Sequence, residues 1–169
     1  MANTFLKIST VTVGAGGASS IDFSSIPQTY TDLVLKVCAR GTVDRNSSGY
    51  YFNVTINTLT TNQSSRYANG NGSNAQSGSF TRVYGYCAPS DSTTSIFSNN
   101  EFYFANYTSS ANKSISLDGV NENNGTLADS TLQAGLWSST SAITALGLVP
   151  AGGSFAQYST ATLYGIKKN

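Results

Sequence analysis

Asp118 and Glu122, in the stretch Leu117-Asp118-Gly119-Val120-Asn121-Glu122, are the closest-spaced acids in a chain that has only eight. Glycoside hydrolysis needs no more than two carboxyl groups, one as acid and one as nucleophile or base. This pair is therefore the first candidate for catalysis. Its strand-to-turn setting favours the plainer role of turn cap or solvated side chain. Asp118, Asn121 and Glu122 could also hold calcium loosely, but they lack the Asp-x-Asp-x-Asp-Gly order of a calcium loop. The chain contains no histidine. That removes the usual general base, every histidine-based metal site, and any Ser-His-Asp or Cys-His arrangement. The two cysteines, Cys38 and Cys87, cannot build a zinc site alone. Both fall in strand-like segments, where a free thiol behaves as a small buried hydrophobe; a disulfide between them is the alternative. The expectation is no catalysis, no cofactor and no metal ion.

The glycine run at Gly14-Ala15-Gly16-Gly17 follows a β-branched stretch, as a phosphate-cradling loop would. A dinucleotide fingerprint needs a third glycine and then a helix. Here Ser19 stands at that position, and Ser20 to Pro27 reads as extended. A phosphate loop of the Gly-Lys-Ser type needs a lysine, and none follows. The run reads as a turn that requires positive φ.

Aromatic residues are the remaining chemistry. Alternation places Tyr51, Tyr103, Tyr107 and Trp137 on the polar sides of their strands. Subunit and partner interfaces are enriched in Tyr and Trp, so these four are the candidate contact residues. Plain surface packing and stacking against a glycan are the alternatives. Seven Asn-x-Ser/Thr sequons begin at Asn46, Asn53, Asn62, Asn71, Asn106, Asn112 and Asn124. In a chain this rich in Ser, Thr and Asn they carry no weight without an export signal.

These residues must be positioned by strands. Period-2 alternation recurs at 5–13, 32–40, 50–57, 101–107, 113–120, 131–137, 142–149 and 154–166, with 80–87 a weaker case. No window carries a helical stripe. Turn clusters separate the runs, among them Asn69-Gly70-Asn71-Gly72 and the residues up to Ser79. Leu33, Leu35, Val37, Phe52, Val54, Phe102, Phe104, Ile115, Leu117, Leu136, Leu146 and Leu163 are the expected core. On 131–137 the expected inward set is Leu132, Ala134 and Leu136, with Gln133 and Trp137 outward. Eight to ten short strands with regular turn signals predict an all-β fold, a jelly-roll-like β-sandwich.

With 169 residues and no internal linker, the chain reads as a single domain over 1–169. Charged residues make up 10% of it, against about 25% in average proteins. Ser, Thr, Asn and Gly number 26, 20, 16 and 16, so solubility rests on hydroxyls and amides. Ten Tyr and eight Phe argue against disorder. Net charge is +1 with scattered cations; the only basic pair is Lys167-Lys168. That excludes a nucleic-acid partner as an expectation, since such binding neutralises several phosphates from one face. No apolar run is long enough to span a membrane, and Met1 to Thr10 does not read as an export leader.

The segment Ser25-Ile26-Pro27-Gln28-Thr29-Tyr30-Thr31-Asp32-Leu33-Val34-Leu35 and the end Thr160-Ala161-Thr162-Leu163-Tyr164-Gly165-Ile166-Lys167 resemble a group of small virion structural proteins of tailed bacteriophages, of the marine and cyanobacterial phage type. Ser64-Ser65-Arg66-Tyr67 before a Gly/Asn-rich loop, and Ala134-Gly135-Leu136-Trp137, extend the likeness over nearly the whole chain. The resemblance implies a capsid decoration (cement) protein or a module of a tail fibre, with no catalytic residues to carry over. On that reading the chain is a homotrimer that binds the major capsid protein or other virion proteins. It would be located in a virion assembled in the host cytoplasm. The alternative is a tail-fibre or receptor-binding module that recognises a host glycan.

Overall fold

A computed structural model describes residues 4–123 and 128–167; the sequon at Asn124 and the second lysine of the basic pair, Lys168, lie outside them. The described residues form twelve strands and no helix. They are β1 (Phe5–Thr12), β2 (Ile21–Phe23), β3 (Asp32–Ala39), β4 (Tyr51–Ile56), β5 (Gln63–Gly70), β6 (Ala75–Phe80), β7 (Tyr84–Tyr86), β8 (Ser98–Phe104), β9 (Lys113–Asn121), β10 (Asp129–Trp137), β11 (Leu146–Pro150) and β12 (Thr160–Ile166). Eight of them pair in the order β1-β12-β3-β8-β9-β10-β5-β6, and four in the order β2-β11-β4-β7. Every strand pair is antiparallel. The two sheets make a β-sandwich.

Alternation explains why the sheets pack. β4 buries Phe52, Val54 and Ile56, and β8 buries Phe102 and Phe104. Phe52 meets Phe102 across the sandwich at 6.0 Å between ring centroids. Gly85 lets that approach happen, because a β-carbon there would lie 2.4 Å from Phe52 and 2.9 Å from Phe102. Eleven of the twelve expected core residues are buried. The glycine run is a turn. Gly17 N–H donates to Gly14 O at 3.0 Å, φ at Gly17 is +71°, and a β-carbon there would press on the Phe155 carbonyl.

The exception in the core is Leu136, which is half-buried, and its strand shows why. β10 faces the opposite way from the sequence expectation: Thr131, Gln133 and Trp137 are buried and Leu132 is 65% exposed. Register decides this. β10 pairs with β9 so that Gln133 lies beside Leu117, Gly135 beside Ile115 and Trp137 beside Lys113. Direct cross-strand neighbours share a face, and β9 already points Ile115 and Leu117 inward.

Three further expectations are corrected. The Gly/Asn-rich stretch is not a bare loop but the hairpin β5–β6, closed by a four-residue turn in which Asn71 Oδ1 accepts from Ser73 N and Asn74 N and Gly72 takes φ +86°. The runs at 142–149 and 154–166 become strand only from Leu146 and Thr160. β8 ends at Phe104, short of the expected residue 107.

The large sheet outgrows the small one. β7, at the edge of the small sheet, packs against β8 and β9. β10, β5 and β6 continue beyond, a further three strands or about 14 Å at normal strand spacing. The free edge of β7 is met by side chains instead of another strand. Asn100 accepts from Tyr86 N at 2.8 Å and donates to Tyr86 O at 2.9 Å. Gln133 accepts from Tyr84 N at 3.3 Å. Gln63 accepts from Val83 N at 2.9 Å and donates to Val54 O at 3.0 Å. Buried backbone groups require such partners, so these amides do the work of a missing strand.

Candidate functional site

Under the overhang lies a cleft of about 490 Å³, within the size range of small-molecule sites. Its floor is Tyr84 and Tyr86, both buried. They alternate with Gly85, so both rings face away from the Phe52–Phe102 contact. Burial pushes both phenols above their ordinary pKa, so they stay protonated well past neutral pH. The hairpin wall is Tyr67 stacked on Phe80, at 5.5 Å and 27° between planes. Phe80 stands edge-on to Tyr84 at 5.0 Å and is 46% exposed. Tyr51 closes the opposite side, edge-on to Tyr84 at 6.2 Å.

Two arginines enter the cleft with different company. Arg45 bonds Asp129 at 2.5 Å and lies 5.0 Å from the centroid of the Tyr50 ring. Its charge is balanced by a partly buried carboxylate. Arg82 donates one hydrogen bond, to Asn53 Oδ1 at 3.2 Å, and has no ion pair among the described residues. The amides Asn46, Asn74 and Gln76 line the rim. Asn69 donates to Tyr86 Oη at 3.1 Å, and its Oδ1 has no partner. The arrangement can stack one ring, hydrogen-bond its substituents and attract one negative charge. It holds a single carboxylate, Asp129, already engaged by Arg45; hydrolysis by paired carboxyls would need a second.

Of the four aromatic candidates, the cleft contains only Tyr51. Tyr103 lies on the outer face of the large sheet, its Oη donating to Asp32 Oδ2 at 2.7 Å. That bond, followed by burial, raises the phenol to about 12. Tyr107 and Trp137 are corrected as contact residues, since both are buried. Asn106, at φ +48°, turns the chain after β8 and resets the alternation, so Tyr107 enters the core and donates to Pro27 O. Trp137 faces inward with its strand, under the Lys113 ammonium at 5.5 Å. Lys113 itself is buried and donates to the carbonyls of Ser109, Ser139 and Ser141. Burial lowers its pKa.

The other candidates are not brought together. Asp118 and Glu122 are exposed. Asn121 points inward from the same strand, with Nδ2 donating to Cys87 O at 3.4 Å, so the calcium candidates face opposite sides. Cys87 is a buried free thiol, whereas Cys38 is free and exposed, on the outward parity of β3. The cleft residues Tyr67, Phe80, Tyr84, Tyr86, Arg45 and Asp129 were missed by sequence reasoning. The signal that could have found them is Asn71-Gly72, a hairpin marker set between Tyr67 and Phe80. No helix among the described residues is long and apolar enough to cross a membrane. No protein-family model matches this chain, and no curated protein is significantly similar to it.

Proposed function

We propose that this chain is a non-catalytic structural protein of a tailed-phage virion, a capsid decoration protein that sits as a homotrimer on the outer face of the head. The observation that carries this reading is the outward face of the large sheet. Leu132 is 65% exposed and paired directly with the exposed Ala68, while Val120, 42% exposed, lies diagonally across on β9. Ala134 and Tyr103 continue the face. A monomer gains nothing by exposing this strip; a partner surface would. The order β1-β12-β3-β8 over β2-β11-β4-β7, with successive strands crossing between sheets, supports a jelly roll into which two hairpin excursions are inserted, and jelly rolls recur in capsid and lectin domains.

Stabilisation would come from area burial, with a contact of about 1,600 Å² in the normal range for a lasting interface. Three copies engaging equivalent lattice sites gain by effective concentration. Binding only the assembled shell favours that shell by mass action. Few ion pairs are available to screen, so attachment should vary little with salt. The partners are the major capsid protein or other virion proteins, with no part for nucleic acid, membrane or cofactor. Labelling and imaging of intact particles tests the reading. Signal over the head, lost with Leu132→Asp, is expected; signal at the tail tip alone overturns it, and a strictly monomeric protein at high concentration removes the trimer.

A second reading, recognition of a host glycan by a receptor-binding module, is favoured by the aromatic cleft. Glycan-array binding that disappears in Phe80→Ala supports it, and an array without binding removes it.

A further inference from the structure

We propose that the cleft is a site for a single sugar unit carrying a carboxylate, of the uronic-acid type, with the ring against Phe80 and Tyr67 and the carboxylate on Arg82. The inference rests on the glycan-recognition reading and specifies its ligand. Three independent features of the cleft carry it.

The first is the wall. Phe80 is nearly half exposed although it takes part in a stacked pair, so one hydrophobic face stays open to the cleft. A pyranose presents a C–H face of that size and hydroxyl edges around it. The second is the rim. Among the described residues, the side chains of Asn46, Asn74 and Gln76 make no hydrogen bond, and Asn69 Oδ1 is unpartnered. A carboxamide offers donors and an acceptor together. Sugar hydroxyls are donors and acceptors together, so the match is better than with a hydrocarbon or an apolar peptide. The third is charge. Asp129 neutralises Arg45, which leaves Arg82 as the one uncompensated charge on the lining. Its guanidinium spends one N–H on Asn53 out of five. The remaining fork matches a carboxylate in geometry and sign. One surplus cation fits one carboxylate; a nucleic-acid strand would call for a row of them.

Calorimetric titration with a uronic-acid oligosaccharide, its carboxyl-reduced neutral counterpart and single-stranded DNA tests the assignment. The acidic sugar should bind at least about tenfold more tightly than the reduced one, the scale of one charge-assisted contact. Phe80→Ala and Arg82→Gln should each weaken it by about tenfold or more, and Arg82→Lys should recover part of the loss. Far-UV dichroism and melting of each variant confirm folding, and Gln76→Ala serves as a further rim variant on an exposed side chain. Equal binding of both sugars, still lost in Phe80→Ala, overturns the acidic assignment and leaves glycan recognition standing. Binding of neither sugar overturns both, as does tighter binding of the DNA.

Discussion

The two halves of this sandwich are filled by different chemistry. Where β1, β12, β3 and β8 face the small sheet, the interior is Leu, Val and Phe, including Leu33, Leu35, Phe52, Phe102, Phe104 and Leu163 at no measurable exposure. Past β7 the inward positions of β9, β10 and β5 mix Gly119, Thr131, Gln133 and Ser65 with the core residues Ile115, Leu117 and Trp137. Amides bond the edge of β7, and tyrosines line the cleft. The difference follows from eight strands packing on four. Apolar residues stabilise only where a second apolar layer excludes water. An overhanging sheet has no such layer, so its inner face must satisfy hydrogen bonds and tolerate solvent. The apolar half supplies most of the buried core, and the polar half leaves the cleft that the proposed ligand would occupy.

Phe104→Ala should break the comparison on the apolar side. It removes a fully buried ring and should cost about 3–5 kcal/mol, read from denaturant unfolding; a loss below 1 kcal/mol would mean the core reorganises around the cavity. Asn100→Leu tests the amide half. It leaves Tyr86 N without its partner, while Tyr86 O keeps the Ser98 hydroxyl, at roughly 1–3 kcal/mol. A neutral result would show that water replaces the amide, and the cleft would then reach deeper.

Tyr103→Phe should cost about 1 kcal/mol by loss of the bond to Asp32. The same bond sets a pH dependence. The folded phenol is raised to about 12 from its ordinary value of 10.0. Its contribution is therefore complete below pH 10.0 and is lost as pH climbs from there to about 12. Tyr84, Tyr86 and Tyr107 are raised in the same direction by burial, so unfolding should steepen through this alkaline window. With no histidine, little should change across neutrality. A melting-temperature profile that slopes between pH 6 and 8, or no alkaline change in Tyr103→Phe relative to wild type, contradicts this account.

The smallest effects belong to the exposed parts. Phe80→Ala, on the cleft wall, should change stability by less than about 1 kcal/mol while weakening the proposed sugar binding about tenfold or more. A loss near that of Phe104→Ala would make Phe80 a core residue and erase the distinction between the halves. Lys36→Ala removes an ion pair whose side chains are 51% and 48% exposed. It should shift stability by no more than about 0.5 kcal/mol.

Much of this protein was legible in its residues. Alternating β-branched and aromatic runs with turn clusters between them dictate strands and exclude helix. Phe52, Phe102, Phe104, Leu33 and Leu163 announced the core because side-chain direction within one strand is a local property with period 2. The glycine run declared itself a turn for a similarly local reason. Which face of β10 is inward was not local: Leu132 outbids Gln133 by hydropathy, and pairing with β9 overrules it. Tyr107 changed sides at a single left-handed residue, Asn106. The hairpin β5–β6 was hidden because its burial is slight, and an exposed edge needs no apolar alternation to announce it. The cleft belongs to tertiary structure altogether. It gathers residues 45, 51, 67, 80, 82, 84, 86 and 129, from four separate stretches of the chain, because one sheet runs past the end of the other. Strand order sets that overhang, and strand order is decided by long-range pairing that no short window of residues contains.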